Sequence, residues 1–205
     1  VGLRVRGKTT EGYPKLSYSL ETRDESDNDK DVSLLGMPAE SDWILYAPYA
    51  EKSLMQDALA FQWTRELGQY ASRTRYVEVF LNTTGSSTID YSSSYVGIYI
   101  LEEKIKVDSS RVDINKIGPA DNSGDPLTGG YIWKKDKVDP DEIPFTTQSG
   151  QSYIHVSPDD SDITPQQSAY LTSYINEFES TLYGPNFADP VNGYAKYIDV
   201  DSWVD

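Results

Sequence analysis

One amphipathic helix followed by two apolar strands, all within Leu34–Asp113, constrains this chain most. Met55, Leu59, Trp63 and Leu67 recur at helical spacing across Ser53–Leu67, with Ala58 and Phe61 beside them. Gly68 stands where a left-handed C-cap belongs. The spacing predicts a helix whose Met55/Leu59/Trp63 stripe enters the core. Tyr76–Leu81 and Tyr95–Leu101 are rich in β-branched and aromatic residues and read as strands. The Ser/Thr/Gly-rich stretch Asn82–Ser94 between them reads as a long hairpin loop.

The flanks extend this pattern. Leu3–Arg6 alternates as a half-buried strand does, and Leu16–Leu20 resumes the alternation after a polar turn, so the two predict a hairpin. The acidic run Asp24–Asp31 is either a solvated loop or a calcium loop. The Gly and bidentate Glu of an EF-hand are out of register. Asp42–Trp43 reads as structural, with Trp43 packed and Asp42 bonded to nearby backbone. Gly129–Gly130 precedes a strand at Tyr131–Lys134, and Tyr153–Val156 is a short strand. A second helix is well punctuated: Thr164 caps, Pro165 fits the first turn and Gln167 completes a capping box. Its stripe is Leu171, Tyr174, Ile175, Phe178 and Leu182, and Gly184–Pro185 ends it. Asp199 or Asp201 starts a third helix.

At 205 residues the chain can bury a core, and its 16 Tyr, 5 Phe and 4 Trp supply area that the aliphatics do not. A net charge of −15 argues against nucleic acid and anionic membrane as partners. It also means that any nucleotide site must be a local basic pocket or must use metal ions. The absence of cysteine excludes disulfides, thiol catalysis and Cys-ligated zinc. The single His155 excludes a multi-His metal site and gives no reason to expect a Ser-His triad. No apolar run is long enough to span a membrane. No signal peptide is visible, and the opening VGLRVRG reads like the middle of a longer protein.

Three motifs carry chemistry. Arg6-Gly-Lys-Thr-Thr-Glu-Gly-Tyr-Pro-Lys15 is a Gly- and hydroxyl-bearing turn that leads to a lysine. Such a turn can offer backbone N–H groups to phosphate, with Lys15 as a point charge; it is equally a surface hairpin. The Gly-Lys-Thr at Gly7–Thr9 is not a P-loop, because the first glycine of that spacing and the following helix are both missing. Gly97-Ile-Tyr-Ile-Leu-Glu-Glu-Lys-Ile105 is an apolar strand that runs into charges. Gly129-Gly-Tyr-Ile132 lets backbone come close to something and offers the flat ring of Tyr131, for a stacked adenine or for ordinary packing.

In this order the motifs resemble the CotH family of atypical protein kinases, named for a spore-coat protein. The turn resembles the family's RGNSS and PKKSY, with Lys8, Thr9, Thr10 and Leu16 departing from it. The strand is similar to GVYLLTEKI, and Arg111-Val-Asp113 and GGYI follow as in the family. The tail YIDVDSWVD resembles YIDxxSFVDYFLxNE, so the likeness runs from Arg4 to Asp205.

The resemblance implies an α+β fold. Residues 1–135 would form a kinase-like small lobe, an antiparallel sheet with one packed helix. Residues 136–205 would form a linker and the beginning of a helical large lobe. It implies a secreted or cell-surface enzyme, such as one of the spore coat, that transfers the ATP γ-phosphate to Ser or Thr of a surface or coat protein with Mg²⁺. Lys15 would contact phosphate with Arg6 beside it, and Glu103 and Tyr131 would frame the base. Glu51, Asp57 and Glu66 are the acids available to pair with Lys15; Gln56–Asp57 stands where the family has Arg-Asn. The family's catalytic Asp and metal-binding Asp follow the tail, so neither role is expected within these residues, nor is phosphotransfer by them alone. The other reading is a non-catalytic surface binding or adhesion module on the same fold.

Overall fold

Alternation and hairpin chemistry produce the first sheet. The structure, a computed structural model, describes residues 1–138, 140 and 142–204. Strand β1 (Gly2–Arg6) pairs antiparallel with β2 (Ser17–Glu21), which pairs with β3 (Asp42–Tyr46). Beyond β3 lie β5 (Tyr95–Glu103) and β4 (Thr74–Phe80), so the spatial order is β1-β2-β3-β5-β4. Helix α1 (Gln56–Glu66) joins β3 to β4. The loop between β4 and β5 ends in a single helical turn, α2 (Tyr91–Ser94), capped by the Asp90 carboxylate.

The period of two assigns the faces. Tyr18, Leu20, Trp43, Leu45, Val77, Tyr99 and Leu101 share one face, where Leu34 and Met37 complete the core. Trp43 is fully buried, and its indole N–H donates to the Glu40 carbonyl at 2.9 Å. Asp42 pairs with Lys104 at 3.2 Å. The opposite face carries Arg6, Ser17, Ile44, Tyr46 and Glu102, and α1 lies over it.

Here the helix departs from expectation. Of the expected stripe, Met55, Trp63 and Leu67 face solvent, with Trp63 58% and Leu67 60% exposed, and Leu59 alone is half-buried. The inward face is Asp57, Ala58, Phe61, Thr64 and Arg65. The reason is that the sheet face beneath is polar. Arg65 donates to the Ser72 carbonyl, and Asp57 faces the Tyr46 hydroxyl, so polar anchors set the helix's rotation. Its end is as expected: Gly68 adopts φ +87° and its N–H bonds the Arg65 carbonyl.

Contacts divide the chain into two compact units, Val1–Ile105 and Lys106–Asp205. In the second unit β6 (Ile132–Lys134) and β7 (Pro144–Thr146) flank β8 (Ser152–Ser157), all antiparallel. In this unit the small sheet is covered by α3 (Pro165–Leu182). Leu171 and Ile175 of α3 bury against Phe145, with Tyr131 and Tyr153 beside them. The capping box forms as expected: Gln167 N–H donates to the Thr164 hydroxyl, and the Gln167 carbonyl accepts from Thr164 N–H. Helix α4 (Val200–Val204) follows Asp199; Asp205, the last residue of the family-like tail, lies outside the described residues. No helix among the described residues is long and apolar enough to cross a membrane.

Candidate functional site

A cavity of about 340 Å³ lies in the first unit, between α1 and the polar face of the sheet. That volume is in the range of small-molecule sites. Three segments wall it. The turn after β1 contributes Arg6, Gly7 and Thr10; the end of β5 contributes Glu102, Glu103 and Ile105; and α1 contributes Asp57 and Phe61. Gly7 is required at its position: its φ is +95°, and a Cβ there would fall 2.1 Å from the Thr10 hydroxyl.

Among the described residues, the Arg6 and Glu102 side chains lining the cavity enter no hydrogen bond or ion pair. Glu102 is 7% exposed and accepts no hydrogen bond from the described residues. Burial, then the nearby Asp57 carboxylate, pushes its carboxyl up to about 7, against the opposing pull of Arg6. Burial, then Asp57, likewise pushes the Tyr46 phenol to about 12. Arg6 is exposed at the cavity wall and enters no ion pair among the described residues. What the arrangement offers is an apolar wall of Ile44, Phe61 and Ile105, one guanidinium at the end of β1, and the carboxyls of Asp57 and Glu102, with Glu103 already engaged elsewhere.

Of the residues singled out from the sequence, Arg6 and Glu103 share this cavity. The Glu103 carboxylate is already engaged by Arg73, accepting from its backbone N–H at 2.9 Å and pairing with its guanidinium at 3.2 Å. Lys15 donates to the Ile98 carbonyl and lies 4.5 Å from the centre of the Tyr99 ring. Burial lowers its pKa. No carboxylate among the described residues pairs with it. The three candidate acids divide: Glu51 caps the N-terminus of α1 through the N–H groups of Ser53 and Met55, Glu66 accepts from Gln62, and Asp57 alone turns toward the sheet.

Tyr131 belongs to the second unit. Its ring stacks on Tyr170 at 5.9 Å and its hydroxyl donates to the Leu127 carbonyl at 2.9 Å. Burial, then Tyr170, raises its phenol to about 12. Gly130 beside it comes so close to the Asn115 carbonyl that a Cβ would fall 1.7 Å from the oxygen. Gly130 alone of the pair requires the absence of a side chain, because a Cβ on Gly129 would meet nothing within 4 Å.

Sequence reasoning missed Glu102 as a site residue. Its signal was a polar residue on the same side of β5 as Ile98 and Ile100. It also missed a hydrogen-bonded series, Asp160–His155–Ser168, with distances of 2.9 and 3.3 Å. His155 is buried and stacked on Phe145 at 4.4 Å, so the series pins α3 to β8.

A family model described as CotH kinase protein matches residues 3–205. No curated protein and no solved structure matches the chain.

Proposed function

The chain belongs to the CotH kinase family, and we propose that it supplies the nucleotide-binding part of a phosphotransferase that moves the ATP γ-phosphate to Ser or Thr of a surface or spore-coat protein. The observation that carries this reading is the cavity walled by the β1–β2 turn, α1 and the end of β5. These are the parts a kinase small lobe uses around its nucleotide. Arg6 and the Gly7–Thr10 turn meet the phosphates, and the Ile44/Phe61/Ile105 wall meets the base. Lys15 joins the phosphates only by releasing Ile98, so Arg6 is the principal charge in this reading. Mg²⁺ would neutralise phosphate charge. Among the described residues no group of three or more His, Asp or Glu is placed to hold a metal ion, so no ligand is assigned.

Calorimetry with ATP and Mg²⁺ tests this. Binding is expected, weakened roughly tenfold in Arg6→Ala by loss of one charged hydrogen bond, and less in Lys15→Ala. No binding would favour the adhesion reading. The observation behind that second reading is an exposed aromatic group at the β4–β5 hairpin, where Tyr91 stacks on Tyr95 at 4.8 Å with Phe80 edge-on.

A further inference from the structure

The cavity's polarity decides which end of a nucleotide lies where. Phosphates are repelled by Glu102 and Asp57 and attracted by Arg6, so they belong at the turn. The base then lies against Ile44, Phe61 and Ile105, and Glu102 stands opposite Ile44 in the β3–β5 register. Glu102 is more than nine-tenths buried, has no hydrogen-bond partner for its side chain among the described residues, and lines the cavity. Buried polar groups are paired, so a ligand group is its natural partner.

Resting on the nucleotide reading above, we propose that Glu102 reads the hydrogen-bonding edge of the bound purine. An ionised carboxylate only accepts. It matches the guanine edge, where the ring N1–H and the exocyclic amino group both donate. A neutral carboxyl donates through one oxygen and accepts through the other. It matches the adenine edge, where N1 accepts and the exocyclic amino group donates. With its carboxyl pushed up to about 7, Glu102 presents both forms around neutral pH. The other titratable groups on the cavity wall are Asp57, Arg6, Glu103 and Tyr46. Tyr46, raised to about 12, stays neutral throughout.

The test is calorimetric titration of ADP and of GDP, each with Mg²⁺, at about pH 6 and about pH 8.5, either side of the Glu102 transition. In the unaltered protein the ADP-to-GDP preference is expected to move toward GDP by roughly tenfold as pH rises, the worth of one hydrogen bond. In Glu102→Gln, which cannot ionise, the preference is expected to be the same at both pH values. A preference independent of pH in the unaltered protein overturns the proposal, as does a shift that persists in Glu102→Gln. If the unaltered protein binds neither nucleotide at either pH, the nucleotide reading falls and this inference with it. Binding with an unchanging preference removes only the role of Glu102.

Discussion

Replacing Glu102 by Gln is expected to make the protein more stable at alkaline pH and to leave it unchanged in acid. The side chain keeps its shape and loses its charge. In the folded protein the carboxyl is raised from its ordinary 4.5 to about 7, chiefly by burial. Between those values the folded chain binds a proton that the unfolded chain has released. Stability is therefore fullest below about 4.5, falls as pH rises, and carries the whole cost above about 7. At about 1.4 kcal/mol for each pH unit, the cost approaches about 3 kcal/mol. Gln removes it. Urea unfolding followed by tryptophan fluorescence gives the measurement, since Trp43 is the one of the four tryptophans that is fully buried. With a slope of about 2 kcal/mol/M, the variant's midpoint should lie roughly 1.5 M higher at about pH 8.5 and coincide near pH 4. The difference between the two proteins isolates Glu102 from the other carboxylates titrating in the same range. Equal midpoints at both pH values, or a variant weaker in alkali, would refute the claim that a buried, unpaired charge stands in this cavity.

Two further substitutions probe the packing. Gly130→Ala needs a side chain at φ +86° and a Cβ 1.7 Å from the Asn115 carbonyl, so the backbone must move. A loss of more than about 3 kcal/mol is expected in thermal unfolding, and an unchanged melt would show that the turn is not so tight. Trp63→Ser removes a large apolar side chain from the solvent face of α1 and should cost less than about 1 kcal/mol. A loss of about 3 kcal/mol or more, as for a core tryptophan, would show that this face is covered.

The sequence was most legible where local chemistry alone decides the structure. Thr164, Pro165 and Gln167 satisfy the first N–H groups of α3 whatever surrounds them, and the alternation of β1 and β2 marked their hairpin, although β1 itself stays exposed on both sides. It was least legible where the tertiary partner decides. Helix α1 has apolar residues on more than one side, and only the polar sheet face beneath it selects Asp57 and Arg65 over Trp63. Strand β3 was overlooked as a strand, because its five residues between an acidic turn and Ala47–Pro48 read as isolated packing positions. Strand β7 is three residues long and begins with a proline, which only a sheet edge tolerates. In the site, the motif turn identified Arg6. Glu102 depended on knowing which side of β5 the helix would cover.

Lys15 has a consequence apart from any ligand. Strand β3 ends at Tyr46 opposite Ile100, whereas β5 runs on through Ile98 to Tyr95, so one side of β5 extends past its neighbour. A bare stretch of strand edge invites pairing with another polypeptide. The Lys15 ammonium occupies the Ile98 carbonyl at that point and sets a positive charge against the open edge. One side chain thus occupies part of the edge that the short central strand leaves open, and puts a charge where another strand would have to pair.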